Sequence, residues 1–166
     1  MARLAFCMVA MLATSIANAA SIKWTGYAKN GQWSTSTNWY PDQVPGPADD
    51  VVINDATYGN VTITTPVTVQ SLSIGDSVGQ YPYLIVDSSL VVESTMTVQG
   101  NGGLVLNSGA AMVTGQVTMG GNMIFQDGAV SGSWKVASPG KITMAGGAQK
   151  AFTACNFNIG VDVEMA

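Results

Sequence analysis

Residues 84–144 read LIVDSSLVVESTMTVQGNGGLVLNSGAAMVTGQVTMGGNMIFQDGAVSGSWKVASPGKITM, and a single register runs through them. Leu84, Leu104, Met123 and Ile142 follow one another at spacings of 20, 19 and 19 residues. Each opens a short triplet: Leu84-Ile85-Val86, Leu104-Val105-Leu106, Met123-Ile124-Phe125 and Ile142-Thr143-Met144. A second series, Met96, Val117, Trp134 and Phe157, interleaves with the first at spacings of 21, 17 and 23. Two interleaved series with one common period mean that each repeat holds at least two strands. Fixed periods of this size mark solenoids, whose units bury their apolar faces only by stacking on neighbours. Turn signals separate the triplets: Asn101-Gly102-Gly103, Asn107-Ser108-Gly109, Gly120-Gly121-Asn122, Asp127-Gly128 and Pro139-Gly140.

Upstream, Val51-Val52-Ile53, Val61-Thr62-Ile63, Val67-Thr68-Val69 and Leu72-Ser73-Ile74 continue the pattern. No window longer than a few residues shows helical periodicity, and the N-terminal signal would be the only helix. The predicted fold is all-β, a right-handed parallel β-helix, with a β-sandwich of meandering strands as the alternative. The leucine-asparagine consensus of leucine-rich repeats is absent. Within Val67-Thr68-Val69 or Met96-Thr97-Val98 the outer residues point one way and the threonine the other, so the apolar pair fills a narrow interior. Ile85, Val105 and Ile124 break this rule by placing an aliphatic residue in the central position of three consecutive repeats. Either that face is covered or the register slips by one, or an apolar stripe is exposed to a protein partner or a second copy.

The segment Trp24 to Ile53 differs in kind. It carries Trp24-Thr25-Gly26, Trp33-Ser34, Asn38-Trp39, Val44-Pro45-Gly46 and Asp49-Asp50-Val51-Val52-Ile53. Large rings fit poorly inside a slim coil, whereas a solenoid end exposes an unpaired rung and needs a cover. Residues 20–50 are therefore expected to form an aromatic N-terminal cap, and residues 51–166 the rungs. Alternatively Trp24, Tyr27, Trp33, Trp39 and Tyr40 form a platform on which a surface glycan stacks. The succession of motifs resembles the opening of secreted and cell-surface β-helix proteins, adhesin-like bacterial chains among them, and is similar to the tryptophan-rich start of the G8 domain. The resemblance covers this segment alone. It implies fold and location, and it carries no catalytic residue across.

At the start, Arg3, the apolar stretch Leu4 to Ile16 and Ala17-Asn18-Ala19 form a cleavable secretory signal, residues 1–19, too short to span a bilayer. No later run is apolar enough for a membrane span. Cleavage removes the sole arginine, and five lysines against ten carboxylates leave the mature chain at −5. Such a surface cannot hold a phosphate backbone, so nucleic acid is excluded as a partner. Cys7 leaves with the signal, so Cys155 has no partner in the chain and reads as a buried small hydrophobe or an intermolecular bridge.

The chain contains no histidine, which removes Ser-His-Asp and Cys-His catalysis and the usual zinc sites. No nucleophile elbow, phosphate loop or dinucleotide fingerprint occurs. Lys135 and Lys141 sit beside no carboxylate cluster that would suit a polysaccharide lyase. Asp49 and Asp50 end the proline-rich loop as turn caps or as weak calcium ligands. No cofactor and no catalytic residue is expected. Asn60-Val61-Thr62 is a glycosylation sequon in a turn if the source is eukaryotic. A threonine ladder for ice is interrupted at Lys135 and Asn158. The strand-like Val161-Asp162-Val163-Glu164-Met165 predicts that the coil continues past Ala166. The expectation is a secreted structural or adhesive surface module without catalytic activity, the alternative a carbohydrate-binding or carbohydrate-active β-helix protein.

Overall fold

Every triplet read from the sequence lies on a strand. The structure is a computed structural model that describes residues 20–76, 79–107, 110–147, 150–159 and 163–165. The predicted signal and the side chains after Phe152, Cys155 among them, lie outside the described residues. The strands are β1 (Ser21–Trp24), β2 (Trp39–Tyr40), β3 (Asp50–Ile53), β4 (Val61–Ile63), β5 (Val67–Val69), β6 (Ser71–Ile74), β7 (Tyr83–Val86), β8 (Ser89–Val98), β9 (Gly103–Leu106), β10 (Ala111–Met119), β11 (Asn122–Phe125), β12 (Gly128–Val136), β13 (Lys141–Met144), β14 (Lys150–Ile159) and β15 (Val163–Met165). They wind into a parallel β-solenoid of about 5 turns.

Each turn gives one short strand to a first sheet, in the order β15-β13-β11-β9-β7-β4, and another strand, longer from β8 upward, to a second, β14-β12-β10-β8-β6-β3-β1-β2. The first sequence series is a ladder in the first sheet: Leu84 pairs Leu104, Leu104 pairs Met123 and Met123 pairs Ile142, with Val61 below and Val163 above. The second is a ladder in the second sheet, where Met96, Val117, Trp134 and Phe157 pair in turn and Leu72, Val51 and Ile22 extend it downward. These pairings are parallel, which rules out the antiparallel sandwich. Only β1 and β2 run antiparallel among the described strands.

A third ladder escapes the sequence reading: Val67, Leu90, Met112, Val130 and Phe152. It belongs to the first halves of the long strands. In the turn above β3 that strand is split at Gln70 into β5 and β6, and both pieces pair with β8. Higher up it stays continuous but bends where the register shifts, near Gly115 in β10 and near Gly132 in β12. The coil therefore has three faces. At Gly132 φ is 116°, and a Cβ would lie 2.3 Å from the Thr114 carbonyl oxygen of the rung beneath. Only glycine turns this corner.

Among the described side chains the inward residues of the ladders are buried, apart from half-buried Val67 and exposed Phe152 at the two ends of the third, and outward neighbours such as Thr62, Ser73, Thr97 and Thr118 are half-buried on the faces. Each inward aliphatic side chain contributes about 1.5–3 kcal/mol through removal from water. Residues 20–50 lie over the lower edge of the coil. Strand β1 pairs with β3, and Gln32 bridges Thr62, with Trp33 N donating to Thr62 O at 3.0 Å and Thr62 N to Gly31 O at 2.7 Å. The edges of β3 and β4 are thus occupied, and three tryptophans continue the apolar column downward. No helix of the described residues is long and apolar enough to cross a membrane.

Candidate functional site

The densest polar network belongs to the loop between β1 and β2, and Asn38 is its hub. Asn38 is fully buried. Its carbonyl accepts Thr25 N at 2.8 Å, Gly26 N at 3.1 Å and Thr25 Oγ1 at 3.0 Å. Its side-chain Oδ1 accepts Ala28 N at 2.9 Å, while Nδ2 donates to Asn30 Oδ1 at 2.7 Å and to Gln32 O at 2.9 Å. A buried amide with all these partners fixes the loop from both sides. Lys29 adopts φ 57°, held by its N–H to Gly26 O at 2.8 Å. A non-glycine residue there costs on the order of 1–3 kcal/mol and persists only where its surroundings impose it.

Beneath the loop the three tryptophans pack edge to face. Trp39 stands 4.9 Å from Trp24 and 4.6 Å from Trp33 between ring centroids, at interplanar angles of 78° and 66°. Trp39 Nε1 donates to Trp33 O at 2.7 Å. Trp33 Nε1 is buried without an acceptor among the described residues. The three rings are 1–2% exposed, so they present no face to a sugar. The five-ring platform, the alternative to the cap, does not form, because Trp24, Trp33 and Trp39 point into the core.

Tyr27 and Tyr40 point outward instead, 69% and 71% exposed. Tyr27 meets Tyr58, a residue of the connection between β3 and β4, at 6.2 Å and 63°. The Lys29 ammonium lies 5.1 Å from the centre of the Tyr58 ring. Tyr58 comes this close because Gly26 has no side chain: a Cβ at Gly26 would lie 3.0 Å from the Tyr58 Cβ. Tyr40 sits apart on β2, opposite Lys23. Sequence reasoning missed Tyr58 and Lys29, since only the fold brings residues 27–29 and 58 together. A separate groove of about 350 Å³ runs between the 44–47 loop and the corner 65–68, walled by Val44, Pro45, Pro47, Pro66 and Val67.

Ile85, Val105 and Ile124 do stack on one outer column, with Thr62 below and Thr143 above. Their sequence neighbours Leu84, Val86, Leu104, Leu106, Met123 and Phe125 are buried, so the register is unshifted and the three face out, half-buried by one another. Asp49 caps its own turn by accepting Gly46 N at 2.8 Å, and Asp50 accepts the Ser71 hydroxyl of the next rung. The two carboxylates thus serve separate local roles. No group of three or more potential metal-binding side chains occurs among the described residues. Asn60 is exposed in the turn before β4.

No protein-family model, curated protein or solved structure matches this chain.

Proposed function

We propose that this chain is a secreted structural or adhesive module that acts by displaying ordered side-chain columns on a rigid coil. The observation that supports the reading is the column Ile85, Val105 and Ile124, three aliphatic residues stacked in register on an outer face where Thr62 and Thr143 occupy the equivalent places. Threonine fills the same outward position at both ends of the column. Three successive aliphatics form a continuous apolar strip of the kind that marks contact surfaces. The leader Arg3 to Ala19 supports secretion. The test replaces all three by threonine. The triple variant keeps its thermal midpoint but loses self-association by sedimentation velocity, or adhesion when displayed on a cell. Undiminished association and adhesion would refute the reading.

Carbohydrate binding is the second reading, favoured by the outward rings Tyr27 and Tyr40. Exposed aromatics combine a flat apolar face with a polar edge, the surface a pyranose ring matches.

A further inference from the structure

We infer that the corner formed by Tyr27, Tyr58 and Lys29 is a saccharide-binding site that takes a pyranose ring. The inference rests on the carbohydrate reading and assigns it a place. Three independent features converge there. First, Tyr27 and Tyr58 lie 31 residues apart in the chain and meet at 6.2 Å and 63°, so they form two walls of a corner rather than one flat patch. One wall offers a ring face to the C–H side of a sugar, and the other closes on its edge. Second, the Asn38 network holds the loop carrying Tyr27 in one conformation. A site ordered before binding loses less conformational freedom when its ligand arrives. Third, the Lys29 ammonium is set against the Tyr58 ring at 5.1 Å, and no carboxylate pairs with it among the described residues. It is left to donate to hydroxyl or ring oxygens at the rim.

The same chemistry has two possible sources. One is a foreign glycan. The other is the chain's own: Asn60 follows Tyr58 by two residues across Gly59 (φ 98°), begins the sequon Asn60-Val61-Thr62, and is exposed. A sugar attached at Asn60 starts two residues along the chain from Tyr58.

Two arms separate these sources. In the first, bacterially made and therefore unmodified chain is applied to a glycan array and titrated calorimetrically with chitohexaose and cellohexaose. Tyr27→Ala and Tyr58→Ala each weaken binding about tenfold or more, while Tyr81→Ala, an equally exposed tyrosine elsewhere, leaves it unchanged. In the second, the chain is secreted from a eukaryotic host, the Asn60 peptide is weighed, and thermal midpoints are compared before and after enzymatic removal of the glycan. If the sugar is the chain's own, the glycan raises the midpoint in the parent and loses that effect in Tyr27→Ala and Tyr58→Ala. Binding that survives both substitutions but is lost in Tyr40→Ala overturns the corner and leaves the carbohydrate reading standing. Absence of both array binding and a tyrosine-dependent glycan effect overturns the two together.

Discussion

Gly115→Ala isolates the stacking of one rung on the next. Gly115 has no left-handed φ, so alanine meets no left-handed strain there. The cost is steric alone: the new Cβ would lie 2.4 Å from the Ser94 carbonyl oxygen and 3.1 Å from that of Glu93, both in the rung below. Ordinary contact begins near 3.4 Å, so β8 and β10 must separate locally by about 1 Å. Overpacking of this kind costs about 1–3 kcal/mol, and a stretched ladder hydrogen bond adds about 0.5–1.5 kcal/mol. The expected loss is about 2–4 kcal/mol. With a urea dependence of about 2 kcal/mol/M, the unfolding midpoint falls by about 1–2 M. Gly147→Ala is the control, because nothing lies within 4 Å of its Cβ and its φ is not left-handed; it stays within about 0.5 kcal/mol of the parent. Equilibrium urea unfolding followed by far-ultraviolet circular dichroism reads both. Equal midpoints for the two variants would refute the close stacking of β8 and β10.

Leu104→Ala empties a place between Leu84 and Met123 and costs about 2–5 kcal/mol in the same assay. Val105→Ala, its outward neighbour, costs less than about 1 kcal/mol, and a reversal of that order would contradict the alternation. Trp39→Phe keeps the aromatic packing but removes the 2.7 Å bond to Trp33 O, for a loss of about 1–3 kcal/mol. Asn38→Ala strands the partners of both its side-chain atoms and destabilises by about 1–3 kcal/mol. Limited proteolysis then cuts first within residues 25–32, and cleavage elsewhere would deny Asn38 its role in the loop.

The ladders of the first and second series were legible because both are bounded by turn residues and repeat at near-constant spacing. The third was not. Ser89–Val98 and Ala111–Met119 run through their corners as unbroken strands, so no Asn-Gly or Pro-Gly pair announces where Leu90 and Met112 leave one face and Met96 and Val117 begin the next. The bend at Gly115 is a register shift, a property of two strands together that one strand cannot signal. At the N-terminal end the sequence showed that aromatics cluster but not which way they point. Trp24 lies on a strand whose apolar partner is Ile22, and period-two alternation turns both inward. Tyr27 lies in a loop, where no periodicity governs direction. Asn38 belongs to an aromatic motif in the sequence, and only its bonds to Thr25, Gly26, Ala28, Asn30 and Gln32 reveal it as the organiser of that loop. Tyr58 stands among turn residues with no repeat to mark it, so its meeting with Tyr27 depended wholly on tertiary structure.

Cross-linking between adjacent rungs tests the parallel coil most directly. Thr118 and Lys135 are register partners on β10 and β12, and neighbouring strands lie about 4.8 Å apart, inside the Cα separation of roughly 4.4–6.8 Å that a disulfide spans. In a Cys155→Ser background, Thr118→Cys with Lys135→Cys oxidises to an intramolecular disulfide in the folded chain, and free-thiol mass spectrometry measures its yield. Thr118→Cys with Ser133→Cys, displaced by two residues along the strand, does not close. Equal yields in the two pairs, or closure of the displaced pair alone, would contradict the stacked register.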